Sequence, residues 1–217
     1  MHPHPSACCR SPTLTVRSLL PPPRLRSLAG GLCVVLMALL ALAPLSARAW
    51  DLAGPHAVLL HARDGSRLQL GTVTFGPADN GRRVFTLVMD PTRFKDFFLS
   101  MKEFKCVEGG REVFCHVPYP YPQPGTVRVQ PDAIDLAWLE HSLLFMFKTP
   151  TEIGAKLWNG VYFQLRLTDQ GLEGRPQAVD LNRISAPPDK PAQPPFGPAL
   201  RDDIAPGARW FERLTIE

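Results

Sequence analysis

The stretch from Phe104 to Pro122, FKCVEGGREVFCHVPYPYP, constrains the fold more than any other, because Cys106 and Cys115 are the only cysteines beyond residue 49. Set opposite each other, they bring Val107 against Phe114, Glu108 against Val113 and Gly109 against Glu112, leaving Gly110 and Arg111 as a two-residue loop. Glycine at the first central position is what a type II′ turn requires. Counting outward from that turn puts the cysteines at a non-hydrogen-bonded pair, where Cα atoms approach to about 4.5 Å and a disulfide can close. The spacing predicts a disulfide-stapled hairpin. Eight intervening residues do not make a C-x-x-C motif, so the pair reads as structural rather than redox-active.

Residues 1–49 carry five arginines and no acidic residue, run almost unbroken apolar from Gly31 to Leu45, and end in Ala47-Arg48-Ala49. That is the layout of a secretory signal peptide, with Trp50 as first mature residue. An uncleaved anchor is the rival reading, although the apolar run is short for a membrane span. Without residues 1–49, 19 Lys plus Arg stand against 20 Asp plus Glu, a net charge of −1. The basic character belongs to the leader, and nucleic-acid binding has no electrostatic basis in the domain. Residues 50–217 are enough for one core, and a cysteine pair in an exported chain implies an oxidising, periplasmic or secreted setting.

Strand patterns dominate that domain. HAVLLHAR and SRLQLGTVTF flank Asp64-Gly65, a hairpin signal whose two-residue turn would set Leu59 opposite Leu70 and His61 opposite Leu68 on an apolar face. RRVFTLVM supplies a third strand with Phe85, Leu87 and Met89 on one side, and GVYFQLRLT a further half-buried one. Two helices are expected. Asp90-Pro91 opens the first, with Phe94, Phe97, Phe98 and Met101 at helical spacing; Pro131-Asp132 opens the second, which runs to about Lys148 with two apolar stripes. Pro176 predicts an edge position or a bulge in 172–182, APPDKPAQPPFGP over 186–198 reads as a surface strap, and RWFERLTIE reads as a closing strand. The fold class expected is α+β: an antiparallel, twisted or barrel-like sheet of hairpins with two amphipathic helices packed on it.

Chemistry is less legible. There is no G-x-S-x-G, S-x-x-K, P-loop or helix-opening G-x-G-x-x-G, and His56, His61, His116 and His141 lack zinc-ligand spacing. No cofactor or metal is implied. The function expected is non-catalytic: an exported binding or accessory domain whose partner is an envelope protein, a glycan or an apolar small molecule, with membrane contact only through an uncleaved leader. The Pro118–Pro124 arm presents Tyr119 and Tyr121, and with Trp138 of the second helix these are the candidate contact residues. The same arm can instead strap across the sheet. Two alternatives stand beside this: a small envelope hydrolase whose histidine–carboxylate site is assembled in three dimensions from His61, Asp64, His116 and His141, and a carrier with an apolar cavity.

Overall fold

The computed structural model describes residues 50–99, 102–130, 133–184 and 193–217; the expected leader, the Pro131-Asp132 helix start and residues 186–192 of the proline-rich strap lie outside them. Among the described residues the chain forms strands β1 (Gly54–Ala62), β2 (Arg67–Phe75), β3 (Arg82–Met89), β4 (Lys95–Leu99), β5 (Lys102–Gly109), β6 (Glu112–His116), β7 (Thr126–Gln130) and β8 (Ala133–Asp135). Helix α1 (Ala137–Ser142) follows, then β9 (Phe145–Lys148), β10 (Gly160–Thr168), β11 (Gly171–Val179), β12 (Asp202–Asp203) and β13 (Phe211–Ile216). They join in one antiparallel sheet, ordered β4-β5-β6-β9-β10-β11-β13-β1-β2-β3-β7-β8, with β12 paired to β11.

That sheet is rolled. Phe114 on β6 and Phe211 on β13 are four strands apart along the path, about 19 Å in a flat sheet, yet their ring centroids are 5.5 Å apart. The inner face carries Val58, Leu60, Phe114, Phe145, Phe163, Leu165, Leu214 and Ile216 in one buried cluster. The outer face of the middle strands is buried as well, with Cys106, Cys115, Met146, Tyr162, Val179, Leu181 and Phe196 forming a second cluster. Alternation places neighbours on opposite sides: Phe145 looks inward and Met146 outward, Phe163 inward and Tyr162 outward.

Two-sided burial overturns the α+β expectation. The first expected helix is a single 3-10 turn, Pro91–Arg93, capped by Asp90, whose carboxylate accepts from Thr92 N at 3.0 Å and Thr92 Oγ1 at 2.7 Å. The chain then becomes β4, pairing Phe97 with Phe104 and Lys95 with Cys106 along the stapled hairpin. Phe97 packs into the outer cluster and Leu99 is buried there, while Phe98 is exposed, a period of two that the closely spaced phenylalanines disguise. Cross-strand ion pairs Lys95–Glu108 and Lys105–Asp96 tie β4 to β5. The second expected helix shrinks to the six residues of α1. Its predecessor Ile134 lies in β8, and Phe145–Lys148 is β9, buried on both faces. An unbroken LLFMF run is as compatible with a doubly buried strand as with a helix; in β9, Phe145 and Phe147 share the inner face and Met146 takes the outer one.

The stapled hairpin folds as its spacing predicts, in the register Cys106–Cys115, Val107–Phe114, Glu108–Val113 and Gly109–Glu112. The disulfide is formed, its Cα atoms 3.9 Å apart, and Gly110 takes the left-handed φ of 56° while Arg111 does not. The β1–β2 hairpin departs from expectation by one residue. Arg63-Asp64-Gly65 is a three-residue loop with Gly65 at φ 82°, so His61 faces Arg67 and Leu60 faces Leu68. Its cross-strand neighbours are Arg67 on β2 and Arg213 on β13, so His61 does not sit on an apolar face. Pro176 sits at a local edge of β11: the strand bonds β13 through Leu172–Gly174 and β12 from Gln177, and the proline falls between the two ladders, where no N–H is needed. Strand β13 lies between β11 and β1, with Leu214 and Ile216 inward.

Candidate functional site

The tyrosine arm folds inward. The ring of Tyr119 meets His141 edge-on at 4.3 Å between centroids, with Tyr121 at 5.4 Å and Trp138 at 6.1 Å. Gln123 Nε2 donates to Ser142 Oγ at 3.0 Å, pinning the arm over α1. Trp138 is buried, Tyr119 half-buried and Tyr121 exposed, so the three do not make one open surface. The arm is a strap over the aromatic layer of Trp138, His141, Tyr162 and Phe196. Below that layer Arg201 stacks on Tyr162 at 3.7 Å, bonds Phe196 O through Nε and Nη2 at 2.9 and 2.7 Å, and pairs with buried Glu140 at 3.1 Å. Glu140 also accepts Leu165 N at 2.7 Å; burial nonetheless raises its carboxyl above the ordinary range, against the pull of these partners.

The histidines are directed elsewhere than to carboxylates. Arg213 Nη2 donates to His61 Nδ1 at 3.2 Å, which leaves Nε2–H to donate to Thr215 Oγ1 at 2.8 Å; burial and the Arg213 charge lower this imidazole. His116 Nε2 donates to Ser142 O at 3.0 Å and is lowered by burial. His141 is wholly buried, neither ring nitrogen has a hydrogen-bond partner, and burial with the Arg201 charge lowers it to about 4. His56 bonds Ala53 O and packs on Trp50, while Asp64 accepts from Ser66 N and Oγ. His61, Asp64, His116 and His141 are not brought together. The interior is occupied by rings, Phe114 stacked on Phe145 at 4.4 Å and Phe163 edge-on to both at 6.2 Å.

A different place gathers functional side chains. The loop joining β1 to β2, the β5–β6 tip and the segment before β13 converge on an open cleft of about 570 Å³ that holds Arg63, Asp64, Arg111, Glu112, Arg209 and Trp210, floored by Phe147 and Thr149. Their convergence has a sequence cause. A type II′ turn needs one glycine, yet the tip has two, and a Cβ on Gly109 would stand 2.5 Å from Trp210 Nε1. The second glycine is the seat of the indole. Trp210 N then donates to Glu112 Oε2 at 3.0 Å, and Arg63 N donates to Trp210 O at 3.0 Å. Arg209 pairs with Glu112 at 3.0 Å and lies 3.7 Å over Phe147.

Charge is not balanced in this cleft. Glu112 is spent on Arg209 and Trp210, and Asp64 on its own turn. Arg63 gives one N–H to Gly207 O at 3.0 Å, and exposed Arg111 makes no hydrogen bond or ion pair with the described residues. The adjoining cleft, about 690 Å³, shares Arg209 and sets Arg175, Arg209 and Arg213 against Glu173, Asp203 and Glu212. Its charges cancel, and Arg213 pairs with Glu173 at 3.6 Å. Among the described residues no group of three or more His, Cys, Asp and Glu is placed to hold a metal ion.

Comparison with protein-family models, with curated proteins and with solved structures finds no match for this chain. This cleft was missed from sequence; the doubled glycine before Arg111-Glu112 and the Arg-Trp pair at the head of the last strand are the signals that could have found it.

Proposed function

We propose that this chain is an exported domain that binds rather than catalyses, and that it meets a component of the cell envelope through the cleft at the stapled tip. The observation that carries the reading is the delivery of Arg63 and Arg111 to one open cleft by two separate turns, each held by Trp210 or its neighbours. Rigid strands with functional side chains on their connecting turns are the common plan of a recognition domain. The Cys106–Cys115 disulfide is consistent with an oxidising compartment, which fits the leader read from residues 1–49.

Specific geometry weighs against the rivals. A hydrolase on His61, Asp64, His116 and His141 would need a base oriented by a carboxylate, whereas these side chains are engaged by Thr215, Arg213, Ser66 and a backbone carbonyl or enclosed by rings. A carrier would need room where Phe114, Phe145, Phe163 and Phe211 pack. The tyrosine arm reads as a strap, with Tyr121 as its exposed remainder.

Native mass spectrometry of the chain recovered through its own leader tests the proposal. The expected species begins at Trp50, is two hydrogens lighter for the disulfide, and carries a bound component that is lost on Arg63→Ala or Arg111→Ala. A bound component that both variants retain, or turnover that survives both, would overturn the reading.

A further inference from the structure

The chemistry of the cleft says what kind of component it takes. The side chains that reach it are guanidiniums beside an indole. Arg63 keeps most of its fork, Arg111 all of it, and each fork suits a planar carboxylate. The indole of Trp210 supplies apolar surface beside them, while the Phe147 ring is covered by Arg209. The remaining acid, Asp64, is committed to Ser66 and leaves the two arginines in excess by one charge.

We infer that the cleft binds an acidic saccharide, with Arg63 and Arg111 receiving its carboxylates and the indole of Trp210 receiving the C–H face of the ring. This rests on reading the cleft as a binding site and names its ligand class. The domain as a whole carries about as many acidic as basic residues, so a carboxylated chain is drawn to this place rather than to the surface at large. A neutral sugar leaves both forks unpaired.

Calorimetric titration of the full chain with a defined oligomer of galacturonic acid tests it, with the methyl-esterified oligomer as the uncharged counterpart. The acid form should bind, weaken as salt is raised from 20 to 300 mM, and weaken about tenfold for each of Arg63→Ala and Arg111→Ala. Arg111→Lys should fall between, since it keeps the charge and loses the fork. Both arginines are exposed, and unchanged melting would show the variants folded. Equal binding of acid and ester, no binding of either, or variants that bind as tightly as the parent would overturn the inference. Competition by inorganic phosphate at equal strength would overturn the saccharide and assign the cleft to a bare oxyanion. If the oligomer fails while a native bound component is still lost on Arg63→Ala, the cleft remains the binding site and only the ligand class falls.

Discussion

The indole of Trp210 sits where a side chain on Gly109 would be, 2.5 Å from the position of its Cβ, so the stapled tip and the last strand are fitted to each other. Gly109→Ala should therefore cost about 1 to 3 kcal/mol by overpacking, and much less in a Trp210→Ala background. A double-mutant cycle by urea unfolding measures the coupling; additive effects would mean that the indole is not seated there.

The staple itself should matter through the unfolded chain. Replacing Cys106 and Cys115 together by alanine should cost about 2 to 3 kcal/mol, read as a lower denaturation midpoint with little change in slope. Since the cysteines lie in the outer cluster, the near-ultraviolet signal of Tyr162 and Phe196 should broaden before the inner core is lost.

How far the fold could be read from sequence differs by element. The stapled hairpin was legible to the residue, because a turn type and a disulfide both fix register. The two helices were not. Phe94, Phe97 and Phe98 have helical spacing, but the free edge of β5 beside them offers backbone pairing that helical periodicity cannot reveal. Leu143 to Phe147 looked two-sided because β9 is buried on both faces, which depends on a second layer supplied by residues as remote as Phe196. The site was missed for a related reason: Arg63, Arg111 and Arg209 meet only once the sheet has rolled. Trp138, expected as a contact residue, is buried in the inner cluster beneath the Tyr119 arm.

Strand β13 lies inside the sheet, so a chain ending at Ala186 should not fold. It would uncover β1 and β11 together and remove Phe211, Leu214 and Ile216 from the inner core. A soluble, cooperatively melting fragment would contradict this.

The pair Glu140–Arg201 is buried and anchors the 196–201 segment through Phe196 O. Arg201→Met should destabilise by about 3 to 5 kcal/mol, because it leaves a carboxylate buried without its partner, and Glu140→Gln added to it should restore much of the loss. Chemical denaturation of the single and double variants decides.

Acid should weaken the domain through His141. Its folded pKa, about 4, lies below the ordinary 6.5, so the unfolded chain takes up the proton first and stability falls as pH drops from about 6.5 toward 4. His116, lowered too, adds in the same direction; Glu140, raised, acts oppositely, since its folded carboxyl takes up a proton more readily than the unfolded one. Relative to parent, His141→Phe should remove up to about 3 kcal/mol of this dependence. Parallel stability curves for the two proteins from pH 4 to 7 would refute the assignment.

Tyr119 and Tyr121 should separate. Tyr119→Ala should lower stability by about 1 to 3 kcal/mol by uncovering His141 and Trp138, whereas Tyr121→Ala should leave melting nearly unchanged. A Tyr121 variant that loses its bound component while staying folded would return the contact surface to the arm.

The most direct measurement is site-specific photocrosslinking in cells that produce the full chain, with the photoreactive residue placed at the exposed Ala208, which lines the cleft without supplying a guanidinium, and, as control, at the exposed Arg82 of β3. The account predicts a crosslinked adduct at position 208, lost when Arg63→Ala or Arg111→Ala is added, and none at position 82. Adducts of equal yield at both positions, or at 82 alone, would contradict it.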